Sequence, residues 1–187
     1  IVEYGSSKKC WIGIDPSSTE NGDDTVVSII NDKSEVRQYK IEGSLDSKYV
    51  QIANIINRYN PIATYIEDNS IGKVIANEIS KRLYKKGRFH TFTTTNDTKK
   101  EYISMLAVDI ANNNIHFEKS NDLLYSELST FTFKLTKTGK ITYAAKEGYC
   151  DDAVTSLGVC LQCMADYKFL NNLTVDNFIK PNFKPTY

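Results

Sequence analysis

CWIGID, the stretch Cys10–Asp15, decides the fold because it is a short apolar run that ends in a carboxylate. A run of this kind indicates a buried central β-strand. Two further segments follow it, TVVSII at residues 25–30 and EVRQYKI at Glu35–Ile41, with the short turn NDKS between them. Their β-branched and apolar residues are typical of strands. Because tight turns join consecutive strands into hairpins, the three segments predict a three-stranded antiparallel meander.

Helices and strands alternate after the meander. Ser44 is a favourable N-cap for a helix that runs to Arg58, and Pro61 prevents the chain from continuing that helix. The hydrophobic spacing then predicts a strand over 63–66, a helix over 71–86 closed by Gly87, a strand over 89–93, a helix from Asp97 or Thr98 to Asn112, and an extended piece over 115–117. This order predicts an α/β class with a ribonuclease H-like mixed sheet, in which the antiparallel meander is joined by parallel strands and flanked by helices.

The C-terminal third begins with residues 131–145, FTFKLTKTGKITYAA, in which apolar and polar side chains alternate around Gly139. This pattern predicts an auxiliary β-hairpin with the glycine in its turn. A final helix is predicted over 151–167, and the prolines Pro181 and Pro185 indicate an irregular tail. We therefore expect a single domain over 1–187, with a core at about 10–167 and a C-terminal tail over 168–187.

Acidic residues stand at the ends of three predicted elements. Asp15 ends the first strand, Glu67 ends the fourth with Asp68 beside it, and Asp151 and Asp152 open the last helix. In a ribonuclease H-like sheet the first and fourth strands are parallel neighbours, so we expect these ends to converge. Clustered carboxylates repel one another unless a cation neutralises them, and Mg²⁺ and Mn²⁺ prefer oxygen ligands. Two such ions about 4 Å apart can activate a water molecule and stabilise the leaving oxygen of a phosphodiester.

Each acid also has an ordinary explanation when it is taken alone. Asp15 precedes Pro16 and is a possible turn former. Asp151 and Asp152 are favourable at any helix N-terminus because of the helix dipole. Only their coincidence at converging elements favours a site.

Four motifs carry a family resemblance. They are Gly13-Ile14-Asp15-Pro16-Ser17 followed by Gly22-Asp23-Asp24-Thr25, then Ile66-Glu67-Asp68-Asn69-Ser70-Ile71-Gly72, then the region from Thr93 to Phe117, and finally Gly148-Tyr149-Cys150-Asp151-Asp152 with the helix after it. In order and spacing they resemble the C-terminal nuclease domain of viral, bacteriophage-type DNA-packaging terminase large subunits. The resemblance extends from about residue 10 to about residue 167.

The resemblance implies a two-metal-ion endodeoxyribonuclease that cuts double-stranded DNA with little sequence preference and cleaves concatemeric viral genomes during packaging. It implies two Mg²⁺ or Mn²⁺ ions held by Asp15, Glu67, Asp151 and Asp152, with Asp24 as an auxiliary acid. Which of Asp151 and Asp152 is the direct ligand stays open at this point.

The resemblance also implies partners and a location. The partners are double-stranded DNA, the viral portal and a packaging ATPase domain, and the location is the cytoplasm of the infected host cell. The Walker A loop of such an ATPase, G-x-x-x-x-G-K-[ST], does not occur in this sequence. We therefore expect the ATPase domain upstream of this chain.

The charge balance is neutral, with 23 basic and 23 acidic residues, whereas freestanding DNA-binding domains are usually basic. DNA contacts would therefore depend on local groups of cations. The hairpin offers Lys134, Lys137 and Lys140, and the end of the helix predicted over 71–86 offers Lys81 and Arg82. The alternative for Lys81 and Arg82 is a solvated helix end, where the helix dipole favours cations.

The remaining composition excludes several classes of protein. Apolar residues make up 41% of the chain, but no run approaches the roughly 20 residues of a membrane span. Cys160 and Cys163 form a C-x-x-C in an apolar helical pattern, which favours core packing over a redox or zinc site. His90 and His116 fall in predicted strands, and we interpret both as structural.

Two alternative functions stay open. A Holliday-junction resolvase, or another ribonuclease H-like nuclease, would use the same acids but would normally be a more basic protein. A non-catalytic module that docks on DNA or the portal would need none of the acids. Metal-dependent nicking of a plasmid would separate the docking module from either enzyme.

Overall fold

Strand β1 (Cys10–Asp15) lies in the interior of a six-stranded sheet. The structure is a computed structural model, and it describes residues 9–18, 24–69, 71–117, 121–135 and 141–176. The other strands of the sheet are β2 (Thr25–Asn31), β3 (Glu35–Ile41), β4 (Ala63–Glu67), β5 (Phe89–Phe92) and β6 (His116–Phe117). They lie side by side in the order β5-β4-β1-β2-β3-β6.

The pairing of the strands confirms the predicted mixed sheet. Strands β1, β2 and β3 form an antiparallel meander, in which Gly13 lies opposite Ser28. On the other side of β1, Ile14 lies beside Ile66 of β4 in parallel register, and β5 pairs with β4 in the same direction. The extended piece predicted over 115–117 contains β6, which joins the sheet by pairing in parallel with β3.

Helices cover both faces of the sheet. They are α1 (Leu45–Tyr59), α2 (Gly72–Ser80), α3 (Asn96–Ala111), α4 (Asp122–Thr130) and α5 (Asp152–Asp176). Successive residues of a strand point to opposite faces, so Ile12 packs with Ile52 and Ile79 of α1 and α2, while Trp11 packs in a second layer with Leu157 of α5. The central strands β1, β2 and β4 are therefore buried on both sides, which explains why they are largely apolar.

Helix α5 approaches the sheet so closely that glycine is required at the contact. A Cβ atom on Gly13 would lie 2.2 Å from the backbone nitrogen of Cys160 and 2.4 Å from the carbonyl oxygen of Ser156. On the other side of α5, a Cβ atom on Gly158 would lie 2.2 Å from the ring of Tyr102 in α3. Glycines on both sides thus allow α5 to lie directly between β1 and α3.

A buried polar network fixes the first turns of α5 against the meander. The hydroxyl groups of Ser28 and Ser156 are hydrogen-bonded at 2.7 Å. The Gln38 amide donates to the Ser28 hydroxyl and to the carbonyl oxygen of Ala153, both at 2.8 Å. Gln38 in turn accepts a hydrogen bond from Asn121, the N-cap of α4. Strands β2 and β3 are therefore tied to α4 and to α5 by the same side chains.

The helix predicted over 71–86 is shorter in the structure and ends at Ser80. The Asn57 side chain explains this difference, because it donates to the carbonyl oxygen of Arg82 and accepts from the backbone N–H of Tyr84. These two backbone groups are thereby withdrawn from a continuing helix. A 3₁₀ turn at Lys86–Arg88 then leads into β5.

Helix α5 continues to Asp176, so the helix predicted over 151–167 is longer in the structure, and residues 177–187 lie outside the described residues. Helix α4 was not predicted, although Asn121 caps it by accepting from the N–H of Leu124 at 3.2 Å. Helix α3 begins at Asn96, slightly earlier than predicted, because Thr95 is its N-cap. No helix in the described part of the chain is long and apolar enough to cross a membrane.

The predicted hairpin is confirmed as a separate two-stranded sheet. Strand β7 (Phe131–Leu135) pairs with β8 (Ile141–Ala145) in antiparallel register, and Phe133 lies opposite Tyr143. The turn of the hairpin, at residues 136–140, lies outside the described residues. Strand β7 follows α4 directly in the chain, and β8 precedes α5.

The close approach at Gly13 gives a stability prediction. We expect Gly13→Ala to lower the free energy of unfolding by about 3 kcal/mol or more, because the added methyl group meets backbone atoms that cannot rotate away. The control is Gly87→Ala, where nothing lies within 4 Å of the added atom. Urea unfolding of both variants measures the difference, and equal stability of Gly13→Ala and wild type would contradict the seating of α5 on β1.

Candidate active site

Asp15 and Glu67 lie side by side at one edge of the sheet. Each is the last residue of its strand, and the parallel register that places Ile14 beside Ile66 brings the next two residues to the same level. Their carboxyl groups are hydrogen-bonded to each other. Convergence of these two acids was the central prediction from the sequence, and the structure brings them into direct contact.

The pKa of Asp15 is raised well above its usual range, first by burial and then by the charge of Glu67 and the hydrogen bond between the two carboxyl groups. The charges of Asp152 and Asp151 raise this pKa further, Asp152 by more than Asp151. All four acids therefore act on one point. Burial and the repulsion between four negative charges in this space therefore both disfavour the ionised form of Asp15.

Asp151 and Asp152 stand at the beginning of α5 and have different surroundings. Asp152 is only 7% exposed and accepts a hydrogen bond from the backbone N–H of Asp24 at 2.7 Å. Asp151 is half-buried and forms a 2.9 Å ion pair with the Lys99 Nζ from α3. Asp152 is thus the inner member of the pair and Asp151 the outer one.

Asp24 reaches the site through its backbone. Its carboxylate forms a 2.8 Å ion pair with Lys40 of β3, whereas its N–H binds Asp152. Mutual hydrogen bonds between Ser17 and the Thr25 hydroxyl, at 2.9 and 3.0 Å, hold the base of this loop next to the site. The role of the Asp24 side chain as an auxiliary ligand stays a prediction.

Asp68 is separated from the site although it follows Glu67 in the chain. It is buried, accepts from the Thr93 hydroxyl at 2.8 Å, and lies 3.9 Å from the Lys73 Nζ. Since successive residues alternate in direction, only Glu67 of this acidic pair faces Asp15. Glu67 and Asp68 are neighbours in the sequence, which alone does not show which of them faces Asp15, and the structure decides this.

Two residues beside the site were missed from the sequence. Lys99 was not singled out, although it lies one turn after the Thr95 cap and faces Asp151. Glu127 of α4 is 4% exposed, and its Oε2 accepts from the backbone N–H groups of Ala153 at 2.7 Å and Val154 at 3.1 Å. Burial raises the pKa of Glu127 to about 7. The spacing of Glu127 from Leu124 on one helical face was the only signal in the sequence.

A family model for the terminase RNaseH-like domain matches residues 12–161 of the chain. The chain belongs to this family. Family membership implies a nuclease role in phage DNA packaging. Among curated protein sequences no match was found.

Solved structures show the same fold. The large terminase nuclease from thermophilic phage G20c aligns with a TM-score of 0.68 and 18% identity, covering 82% of this chain and 81% of that chain. The nuclease domain of the large terminase subunit gp2 of bacterial virus Sf6 aligns with a TM-score of 0.67 and 13% identity, covering 81% of this chain and 87% of that chain. These similarities establish the ribonuclease H-like fold of this terminase domain.

The carboxylates of the terminase domain fit a hard divalent cation by their chemistry. The four acids supply only oxygen ligands, and burial together with the neighbouring charges raises the pKa of Asp15, a cost that a cation would relieve. As they stand, no three Asp, Glu, His or Cys side chains within the described residues are grouped as ligands of one ion. In this arrangement the Lys99 ammonium pairs with Asp151, and the Asp24 N–H donates to Asp152.

The cations proposed for DNA binding lie in two different places. Lys81 and Arg82 follow the end of α2 and pair with Glu78 of the same helix. Since α2 begins beside Glu67 and runs away from it, they lie toward the sheet edge opposite the carboxylates. On the hairpin, Lys134 belongs to β7 but its side chain is not described, and Lys137 and Lys140 lie outside the described residues.

Cys160, Cys163 and His90 contact neighbouring residues of the fold, whereas His116 is exposed. Cys160 and Cys163 are fully buried and unpaired, and burial raises the pKa of both thiols. The Cys160 Sγ donates to the carbonyl oxygen of Trp11 at 3.2 Å. His90 is hydrogen-bonded through Nε2 to the Tyr167 hydroxyl at 2.8 Å. These contacts support the interpretation of the C-x-x-C as part of the core.

The repulsion at Asp15 gives a prediction for the metal-free domain. We expect Asp15→Asn to increase the free energy of unfolding at neutral pH by roughly 1 kcal/mol in EDTA, because it removes one acid from the cluster with little change in volume. The matched control is Glu101→Gln, which neutralises an exposed acid of α3. Denaturant unfolding in EDTA measures both variants, and a loss of stability in Asp15→Asn would contradict the repulsion.

The same groups predict how stability depends on pH. Glu127 has a folded pKa of about 7 against an ordinary value of 4.5, so the folded state holds its proton more tightly than the unfolded state. This contribution to stability is complete below about pH 4.5 and is lost as the pH rises through 7. Asp15 acts in the same direction. We therefore expect the unfolding free energy of the metal-free protein to fall between pH 5 and 8 by less in Glu127→Gln than in wild type.

Proposed function

We propose that this domain is a metal-dependent endonuclease that cuts double-stranded DNA with little sequence preference and cleaves concatemeric viral genomes during packaging. The observation that carries the proposal is the contact between Asp15 and Glu67 at the ends of parallel strands, with the charges of Asp151 and Asp152 acting on the same point. Such a group destabilises a folded protein unless a cation compensates it, so a structural role does not account for it.

We propose Mg²⁺ or Mn²⁺ as the metal, with two ions held by Asp15, Glu67, Asp151 and Asp152, and with Asp24 as an auxiliary acid. Related structures support this choice: the G20c nuclease is described with bound magnesium and with bound cobalt, and the Sf6 domain with manganese. When bound, such ions activate a water molecule and stabilise the leaving oxygen of a phosphodiester.

The residues of this chain would prepare that chemistry by position and charge. A bound cation would compensate the neighbouring charges and favour the ionised form of Asp15, which is the form that can hold a metal. Asp152, which accepts from the Asp24 N–H, would supply a further oxygen ligand whose position is fixed by that hydrogen bond. Lys99 holds Asp151 by an ion pair and places a positive charge where the DNA backbone would approach.

The partners would be double-stranded DNA, the viral portal and the packaging ATPase domain, in the cytoplasm of the infected host cell. The neutral charge of the domain supports an arrangement in which other parts of the packaging machinery hold the DNA. The same neutrality predicts weak binding by the domain alone, reduced steeply by salt. Family membership disfavours a Holliday-junction resolvase, and the buried acids disfavour a docking module.

The chemistry is tested by isosteric substitution in a plasmid cleavage assay with Mn²⁺. We expect Asp15→Asn and Glu67→Gln each to reduce cleavage at least 100-fold, because each removes the charge of a ligand oxygen, and we expect EDTA to abolish cleavage by wild type. Asp68→Asn is the matched control, since it changes the acid next to Glu67 but leaves Thr93 an oxygen acceptor. Cleavage by wild type in EDTA, or full activity of Asp15→Asn, would disprove the metal mechanism.

The DNA contacts are tested by comparing the two groups of cations. We expect replacement of Lys134, Lys137 and Lys140 by Ala to weaken cleavage at limiting enzyme and to lower the slope of log affinity against log salt by about 0.9 per lost phosphate contact. The thermal midpoint should change little, because exposed lysines contribute little to stability. Replacement of Lys81 and Arg82 by Ala measures the second group under the same conditions. A triple lysine variant that cuts as well as wild type throughout a salt series would exclude the hairpin from DNA binding.

A further inference from the structure

Glu127 occupies an unusual place for a carboxylate. It lies on α4, is 4% exposed, and its Oε2 accepts from two consecutive backbone N–H groups, those of Ala153 and Val154. Its other oxygen, Oε1, is buried without a hydrogen-bond partner. Burying a carboxylate in this way opposes folding unless its hydrogen bonds compensate. Holding a helix end with Glu127 therefore has a desolvation cost that an exposed cap would not have.

The two N–H groups belong to the first turn of α5, where a helix has donors without partners of their own. The usual solution is a short polar side chain at the N-cap. Asp151 stands at that position, and its backbone carbonyl accepts from Thr155 in the manner of an N-cap. Its carboxylate pairs instead with Lys99. The cap therefore comes from another helix, and Asp151 is left to face the site.

Ala153 is held from both sides by side chains of other elements. Its N–H donates to Glu127 of α4, and its carbonyl oxygen accepts from Gln38 of β3 at 2.8 Å. Gln38 is itself bound by Asn121, which caps α4. The residue that follows Asp152 is thus fixed in position relative to the sheet that carries Asp15.

We propose that Glu127 is a positioning residue of the nuclease site, which caps α5 from α4 and thereby holds Asp151 and Asp152 in place to bind metal opposite Asp15 and Glu67. This inference rests on the proposed function. Glu127 acts through Ala153 and Val154 and does not itself contact DNA or metal. Its removal should weaken metal binding more than it weakens the fold, because residues that orient metal ligands typically change affinity 10- to 100-fold.

The test compares Glu127→Gln with Glu127→Met in the whole chain. Both side chains have nearly the volume of glutamate, but only glutamine keeps an oxygen that accepts from the two N–H groups. Calorimetric titration with Mn²⁺ in the absence of DNA measures metal affinity, and plasmid cleavage over a range of Mn²⁺ concentrations measures the midpoint for activity. We expect Glu127→Met to weaken both about tenfold or more and Glu127→Gln to stay within about threefold of wild type.

A purely structural cap is distinguished by a variant that is destabilised elsewhere. Ile79→Val removes a methyl group from a fully buried residue of α2, in the core layer on the other face of the sheet. At a matched loss in thermal midpoint, this variant should bind Mn²⁺ like wild type. Unchanged Mn²⁺ affinity in Glu127→Met, or an equal loss in Ile79→Val, would overturn the positioning role.

A measurement on the wild-type protein keeps the test decisive if Glu127→Met does not fold. Capping and metal binding stabilise the same arrangement of α5, so each should strengthen the other. We expect Mn²⁺ to slow hydrogen exchange at the Ala153 and Val154 amides by about fivefold or more. Exchange that Mn²⁺ binding leaves unchanged would overturn the inference. If wild type neither binds Mn²⁺ nor cuts DNA, the proposed function fails. If wild type does both but one of the overturning results above is found, only the inference about Glu127 fails.

Discussion

The backbone contact between β1 and α5 is the constraint on which the remainder of the structure depends. Without a side chain at Gly13, the helix backbone at Ser156 and Cys160 lies directly on the central strand. This distance allows the hydroxyl groups of Ser28 and Ser156 to bond in the core. It also carries the first turn of α5 to the end of β1, where Asp152 acts on Asp15. A longer side chain at this contact would displace the helix and disperse the acids.

Bringing the acids together opposes folding, and the stability that offsets this cost is located elsewhere. The sheet is covered by apolar layers on both faces, with fully buried residues such as Ile12, Ile29 and Leu157. Burial and the neighbouring charges meanwhile raise the pKa of Asp15, which shows that the folded state resists its ionisation. Local destabilisation at a site, supported by a strong core, is a common compromise between activity and stability.

Helix α4 connects the acidic cluster to the auxiliary hairpin. It places Glu127 under the first turn of α5 and continues directly into β7. At the base of the hairpin, the Phe131 ring lies 6.0 Å from the Lys99 Nζ, and Lys99 pairs with Asp151. The hairpin and the acidic cluster therefore share supporting residues. We expect a substitution at the base of the hairpin to affect the acidic cluster as well.

The sequence by itself determined the sheet and the inner acids. Alternation and β-branched runs identified β1 to β5, and the ends of β1 and β4 located Asp15 and Glu67, because parallel neighbours end at one edge. Each strand and the acid at its end are defined by residues that are close in the chain, and the ribonuclease H-like order of strands supplied the pairing of β1 with β4. Tertiary structure alone decided which way Asp68 faces, where α2 ends, and that Lys99 and Glu127 support α5. Each of these depends on a partner about 25 to 50 residues away, such as Thr93, Asn57, Asp151 or Ala153, and local periodicity carries no information about contacts at that separation.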